Sequence, residues 1–305
     1  MTPPIKLSVL ALAAWLSGCA PLVVDDQQRS LNDFAQASTG APARWQTSEQ
    51  DRATAAQQVG QLLAQPIGAD DAVRIALAHS PALQALFAEA AAASARATQS
   101  ARLPNPLFTF ERLVRREPGG AADKEISRML GVSLIDLLLL PSRIELAAFA
   151  QQQIGLRSSA DVLRAAASAR QAWVRAVAAQ QSLAYFEQVK QAAEASAELA
   201  RRMQSVGNFS KLQRAREQAF YADATAQLAR AQQATLAARE ALVRVLGLDA
   251  GQAARLSLLP RLPELPGAPR DGTDLQARAM EQRLDVRAAR REAEWLAESD
   301  RKSVV

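Results

Sequence analysis

His79 is the only histidine and Cys19 the only cysteine in the 305 residues. Those two counts restrict the chemistry before any fold is considered. A zinc site of mixed His and Cys ligands needs three or four such side chains. A Cys–His nucleophile pair, or a Ser–His–Asp triad with a base to spare, needs them close in space and oriented. Neither supply exists, so the expectation is a protein that is not an enzyme, with no cofactor and no metal. The 36 Lys and Arg outweigh the 31 Asp and Glu to give a net charge of +5. The two signs are interspersed, however, as in Arg214-Ala-Arg-Glu217 and Arg287-Ala-Ala-Arg-Arg-Glu292. No basic cluster alternates with aromatics able to stack on bases, so mixed, solvated helix faces are expected rather than a nucleic-acid surface.

Elements must then be found that give such a chain a purpose. At the amino end, Lys6 precedes the apolar run Leu7 to Leu16, the length of a secretory signal core and too short to span a bilayer. Residues 1–18 therefore read as a signal peptide. Its exit, Leu16-Ser17-Gly18-Cys19, resembles the bacterial lipoprotein signal, the alternative being a signal peptide beside an incidental cysteine. The resemblance implies cleavage before Cys19 and acylation there (palmitate), with about 0.8 kcal/mol of membrane affinity per buried CH₂. Ala20 after the cysteine, rather than Asp, implies sorting to the outer membrane. With no second cysteine, no disulfide is expected.

Aromatics make up 5% of the chain, and no proline lies between Pro141 and Pro260. Such a stretch excludes a β-sandwich or an α/β sheet, which need turn residues far more often. The fold class expected is mainly α, with long antiparallel helices forming a bundle, coiled coil or α-barrel, and one inserted β-hairpin. Residues 19–68 read as a lipid-anchored segment, polar and irregular over 27–50 and helical over 51–63. Asp70 and Asp71 signal a helix start; that helix runs over about 72–101, bent near Pro81 and stopped by Pro104-Asn-Pro106. The period then changes to two. Phe108, Phe110 and Val114 fall on one face of a strand over 107–115. Leu130, Val132 and Leu134 fall on one face of a second strand over 125–135. Between them, Arg116 to Lys124 is a polar loop. Strands of this length either cross a bilayer when tilted or cover a soluble helical core.

Ser142-Arg-Ile-Glu145 fits a capping box after Pro141, opening a helix to about Val206. Gly207-Asn-Phe-Ser210 breaks it, and Ser210-Lys-Leu-Gln213 caps a return helix that reaches Leu246, with Gly247 placed to terminate it. Leu212, Ala215, Ala219, Ala222, Ala226 and Ala229 step by three and four, a small-residue seam for a close antiparallel neighbour. Phe220, Leu228, Leu242 and Leu246 form a second stripe. Residues 250–273 read as a Pro-rich linker. Beyond it Asp274, Ala279, Met280, Val286, Ala288, Glu292 and Ala293 stand 203 positions after Asp71, Ala76, Leu77, Leu83, Ala85, Glu89 and Ala90. Residues 69–249 thus read as one helix–hairpin–helix repeat and 274–305 as the start of a second.

This order of motifs resembles the TolC-like outer-membrane efflux protein family. The local matches are Ala76-Leu-Ala-His-Ser-Pro81, Pro104-Asn-Pro106 before the first strand, Asp136-Leu-Leu-Leu-Leu-Pro141 after the second, and Gly207-Asn-Phe-Ser210-Lys-Leu-Gln213. The resemblance implies a homotrimer whose strands join in a shared outer-membrane β-barrel and whose helices line a periplasmic tunnel. A periplasmic adaptor and an inner-membrane pump feed it in transmembrane efflux. Phe108, Phe110, Val114, Leu130, Val132 and Leu134 would face membrane lipid, and Gly207, Asn208, Phe209 and Ser210 would form the tip where the adaptor docks. Family members often carry Asp where Gln213 stands. The second repeat would stop near Ser303, before its own strands, so the expectation is either a truncated or frameshifted copy or a partial chain. The alternatives are a lipid-anchored periplasmic helical scaffold without a channel, or a nonfunctional remnant.

Overall fold

The computed structural model describes residues 23–103, 105–115, 123–265, 267–268 and 272–303. The expected signal peptide, Cys19, Pro104, most of the polar loop, Pro266 and Pro269 lie outside the described residues. The elements are α1 (Val23–Thr39), α2 (Glu49–Leu62), α3 (Ala69–His79), α4 (Pro81–Ser100), β1 (Leu107–Arg115), β2 (Asp123–Gly131), α5 (Leu134–Ser205), α6 (Lys211–Leu246), α7 (Ala250–Arg255), α8 (Leu275–Gln282) and α9 (Leu284–Ser303). The protein is mainly α, with long helices and one small two-stranded sheet.

These residues divide into two compact units. The larger comprises residues 28–88 and 157–287. Its core joins Ile67, Ile75, Leu77 and Leu83 to Val162, Trp173 and Val177 of α5 and to Leu242 and Leu246 of α6. Trp173 is 1% exposed, and its indole N–H donates to the Ile67 carbonyl at 2.9 Å. Indole needs such a partner when buried. The acceptor lies beside the isolated bridge Ile67↔Leu258, so one side chain ties α5 to two passing segments. Away from this core α5 and α6 run as an antiparallel pair. Gln204 accepts from Arg214, Ser196 donates to Glu217, and Thr235 donates to the Ala179 carbonyl. The described parts of residues 1–27, 89–156 and 288–305 form the second unit. Its polar centre is Gln151, whose amide donates to the Ser94 carbonyl at 2.8 Å while its side-chain oxygen accepts from the fully buried Ser94 hydroxyl at 2.8 Å. Phe149 stacks on Trp295 with ring centroids 5.0 Å apart.

Four expectations need correction. The segment 27–50, expected to be irregular, is largely helical: α1 reaches Thr39 and buries Leu31 and Ala35, one turn apart. Burial of that narrow stripe outweighs a polar composition. The helix expected over 72–101 is two helices, because Ser80 leaves helical geometry with ψ 119° before Pro81, whose ring disfavours the α region for the residue ahead of it. The second strand ends at Gly131, so Val132 and Leu134 are not strand positions. Ser133 accepts from the Asp136 N–H at 3.3 Å and starts α5 at Leu134, eight residues before the expected cap at Ser142. Pro141 consequently lies inside α5, where its missing N–H leaves the Leu137 carbonyl without its helical donor. Finally, the linker over 250–273 begins with α7, capped by Asp249, which accepts from the Gln252 N–H at 2.8 Å.

The offset of 203 recurs in three dimensions. Ser80 separates α3 from α4 with φ −58° and ψ 119°, and Arg283 separates α8 from α9 with φ −64° and ψ 125°. The helices that follow, Pro81–Ser100 and Leu284–Ser303, are both 20 residues long. A proline forces the first break; the second repeats its geometry without one.

Candidate functional sites: the hairpin and the helical tip

The hairpin is antiparallel with Phe108 opposite Leu130, Phe110 opposite Arg128, Arg112 opposite Ile126 and Val114 opposite Lys124. Directly opposed residues share a face. One face therefore carries Phe108, Phe110, Val114, Ile126 and Leu130, and with them Arg112 and Arg128. The other carries Thr109, Glu111, Leu113, Glu125, Ser127 and Met129. Of the expected lipid-facing positions, Phe108, Phe110, Val114 and Leu130 are brought together. Val132 belongs to the turn into α5, and Leu134 is the first residue of that helix. Ile126, Arg112 and Arg128 were missed, although counting back by twos from Leu130 reaches both Arg128 and Ile126. The charges interrupt the apolar alternation and so hide it.

The aromatic face is open. Phe108 is 63% exposed, Phe110 55% and Leu130 69%. Exposure continues into α5, where Leu134, Ile135, Leu138 and Leu139 all face outward, Leu138 at 80%. Isolated exposed leucines are ordinary, but contiguous apolar patches of this kind mark interaction surfaces. β1 and β2 pair only with each other, so each strand keeps one unpaired edge among the described residues.

At the other end of α5, the turn is built by two linked motifs. The Asn208 N–H donates to the Met203 carbonyl at 2.9 Å and the Gly207 N–H to the Gln204 carbonyl at 3.1 Å. Gly207 sits at φ 82°. This is the Schellman arrangement, which requires a left-handed residue at the Gly207 position. Three residues on, Ser210 accepts from the Gln213 N–H at 3.2 Å, and the Gln213 side chain accepts from the Ser210 N–H at 2.8 Å. The four expected tip residues thus form one reciprocally capped turn, with Asn208 exposed and Phe209 half-buried. Two turns below, Glu198 accepts from Arg201 and Arg202. These hydrogen bonds, with Arg201 the larger influence, hold its carboxyl down at about 2.

No group of three or more His, Cys, Asp or Glu able to hold a metal occurs among the described residues, and none of their helices is long and apolar enough to cross a membrane. One open groove of about 570 Å³ is lined by Leu163, Arg164, Leu275, Arg278 and Leu284. A second, of about 440 Å³, is lined by Ser80, Leu83, Asp161, Ser168 and Arg244.

Neither a family model nor a curated protein matches the chain. Among solved structures, it is similar to a membrane protein from Pseudomonas aeruginosa, with 22% identity and a TM-score of 0.57. The match covers 77% of this chain and 54% of that one, so the chain spans about half the length of its structural neighbour. The likeness is one of fold.

Proposed function

We propose that this chain is a TolC-like outer-membrane exit-duct component of a tripartite efflux system. It would be anchored through an acylated Cys19 and completed by other copies of itself. The observation that carries this reading is the hairpin, whose strands have unpaired edges and exposed apolar side chains, held between long helices. Each strand has nine residues, which at about 3.4 Å per residue and a tilt near 45° rises roughly 22 Å, close to the ~25 Å apolar band of outer-membrane barrels. In lipid each unpaired backbone group costs several kcal/mol, so such a sheet demands neighbouring strands. A homotrimer supplies them, with lipid meeting Phe108, Phe110, Val114 and Leu130. The α5–α6 tip, Gly207 to Ser210, would then dock the periplasmic adaptor that links the duct to an inner-membrane pump. The neighbour's description as a membrane protein supports the same setting.

The test is extraction from outer membranes in mild detergent, followed by electrophoresis with and without heating. The reading expects a trimer that dissociates only on heating. A species that leaves the membrane as a monomer, without detergent-dependent structure, identifies a lipid-anchored scaffold instead.

A further inference from the structure

The cleft of about 440 Å³ lies in the larger unit, away from both the hairpin and the helical tip. We propose that it binds a small-molecule monocarboxylate with an apolar body, the carboxylate seated at the N-terminus of α4.

α4 follows the break at Ser80, whose carbonyl accepts from the Gln84 N–H at 3.1 Å and so opens the first turn. The opening N–H groups of a helix have no acceptor within it. Pro81 contributes none, which leaves those of Ala82 and Leu83, and both residues line the cleft. A serine in this position ordinarily caps such a group. Ser80 does not. Its hydroxyl has no hydrogen-bond partner among the described residues, although the residue is only 5% exposed and borders the cleft. A buried hydroxyl and the start of a 20-residue helix thus offer donors to one space, and the chain supplies no acceptor there.

Charge agrees. Arg164 donates to Asp161, one turn earlier on α5, so that pair is neutral. Arg244 has no ion-pair partner among the described residues. A β-carbon at Gly247 would stand 3.2 Å from Cα of Ser80, so Ser80 lies against the last turn of α6, the turn on which Arg244 sits. One uncompensated guanidinium, with the roughly half-charge of a helix N-terminus, suits a single negative charge. The planar guanidinium matches a carboxylate in shape as well. Leu83, Leu86, Ala241 and Val245 make the remaining wall apolar, and the volume falls within the roughly 300–1,000 Å³ of small-molecule sites. An inorganic anion would satisfy the donors but leave that wall wet.

The test incubates the full chain with para-benzoylbenzoate, a photoreactive apolar monocarboxylate, then irradiates it and locates the adducts by mass spectrometry. Adducts are expected on the segments carrying Leu83 and Val245. The neutral amide of the same compound is expected to need about tenfold more for half-maximal labelling. Arg244→Gln should raise the half-maximal concentration of the acid by about tenfold, and Ser80→Ala by roughly fivefold, the shares of one charge-assisted and one weaker hydrogen bond. Arg230→Gln, on α6 outside the cleft, should leave it unchanged. Labelling confined to other segments, equal labelling by acid and amide, or a half-maximal concentration unmoved by Arg244→Gln overturns the site. A value unmoved by Ser80→Ala overturns the seat on α4. Protection by millimolar sulfate identifies a site for inorganic anions and overturns the proposal.

Discussion

Gly247 ends α6 at φ 73° with its N–H donating to the Val243 carbonyl at 2.9 Å. A β-carbon there would stand 2.2 Å from Cδ of Pro81 and 3.2 Å from Cα of Ser80. Gly247→Ala therefore carries two separable costs. The left-handed backbone with a β-carbon is unfavourable by roughly 1–2 kcal/mol, and forcing a methyl into the α3–α4 break adds about 1–3 kcal/mol of overpacking. Gly207 isolates the first cost: it has nearly the same backbone, φ 82°, with nothing within 4 Å of its virtual β-carbon. Urea unfolding followed by circular dichroism at 222 nm should show Gly247→Ala less stable than Gly207→Ala by about 1–3 kcal/mol, the overpacking share alone. Adding Pro81→Ala removes the ring that the methyl meets, so the double variant should recover part of that difference as a positive coupling. Equal losses for the two glycine variants, or no coupling with Pro81, would refute the claim that the break at Ser80 is seated against the end of α6.

Three further outcomes are expected. Trp173→Phe leaves the Ile67 carbonyl without its donor and should cost about 1–3 kcal/mol, visible as faster hydrogen exchange around residues 63–68 and 256–258; unchanged exchange there would contradict it. Ser210→Ala removes the acceptor for the Gln213 N–H and should cost roughly 1 kcal/mol, read as increased exchange confined to residues 207–214. Glu198 has its folded pKa depressed to about 2 from an ordinary 4.5, so its contribution is full above about pH 4.5 and is lost as pH falls toward 2. Acid titration of exchange at the end of α5 should show this step, absent in Glu198→Gln and shrunken at high salt because the group is on the surface.

The elements legible in the sequence were those with strong local punctuation. Ser210 and Gln213 specify a cap, Gly207 and Gly247 specify left-handed terminations, and alternation over 107–115 specifies a strand. Where two local signals overlapped, period alone misled. Ile126 to Ile135 alternates throughout, but Ser133 and Asp136 can cap a helix, and the helix captured the last positions of the expected strand. Pro141 read as a boundary because a proline inside a helix is costly, yet α5 begins seven residues before it. α1 was hidden because its buried stripe is only Leu31 and Ala35. The residues expected to face lipid share one strand face because of period two, whereas placing Arg112 and Arg128 on that face needed the register, since a cation on an apolar face resembles an error in the pattern until its opposite neighbour is known.

The central claim is that the hairpin crosses a bilayer, and a cysteine scan measures that directly. Single cysteines from Leu107 to Val114 and from Glu125 to Leu130, in the full chain in intact outer membranes, are treated with a membrane-impermeant maleimide. The account predicts period two: protection at Phe108, Phe110 and Leu130, and labelling at Thr109, Glu111 and Ser127. Uniform labelling at every position would contradict it.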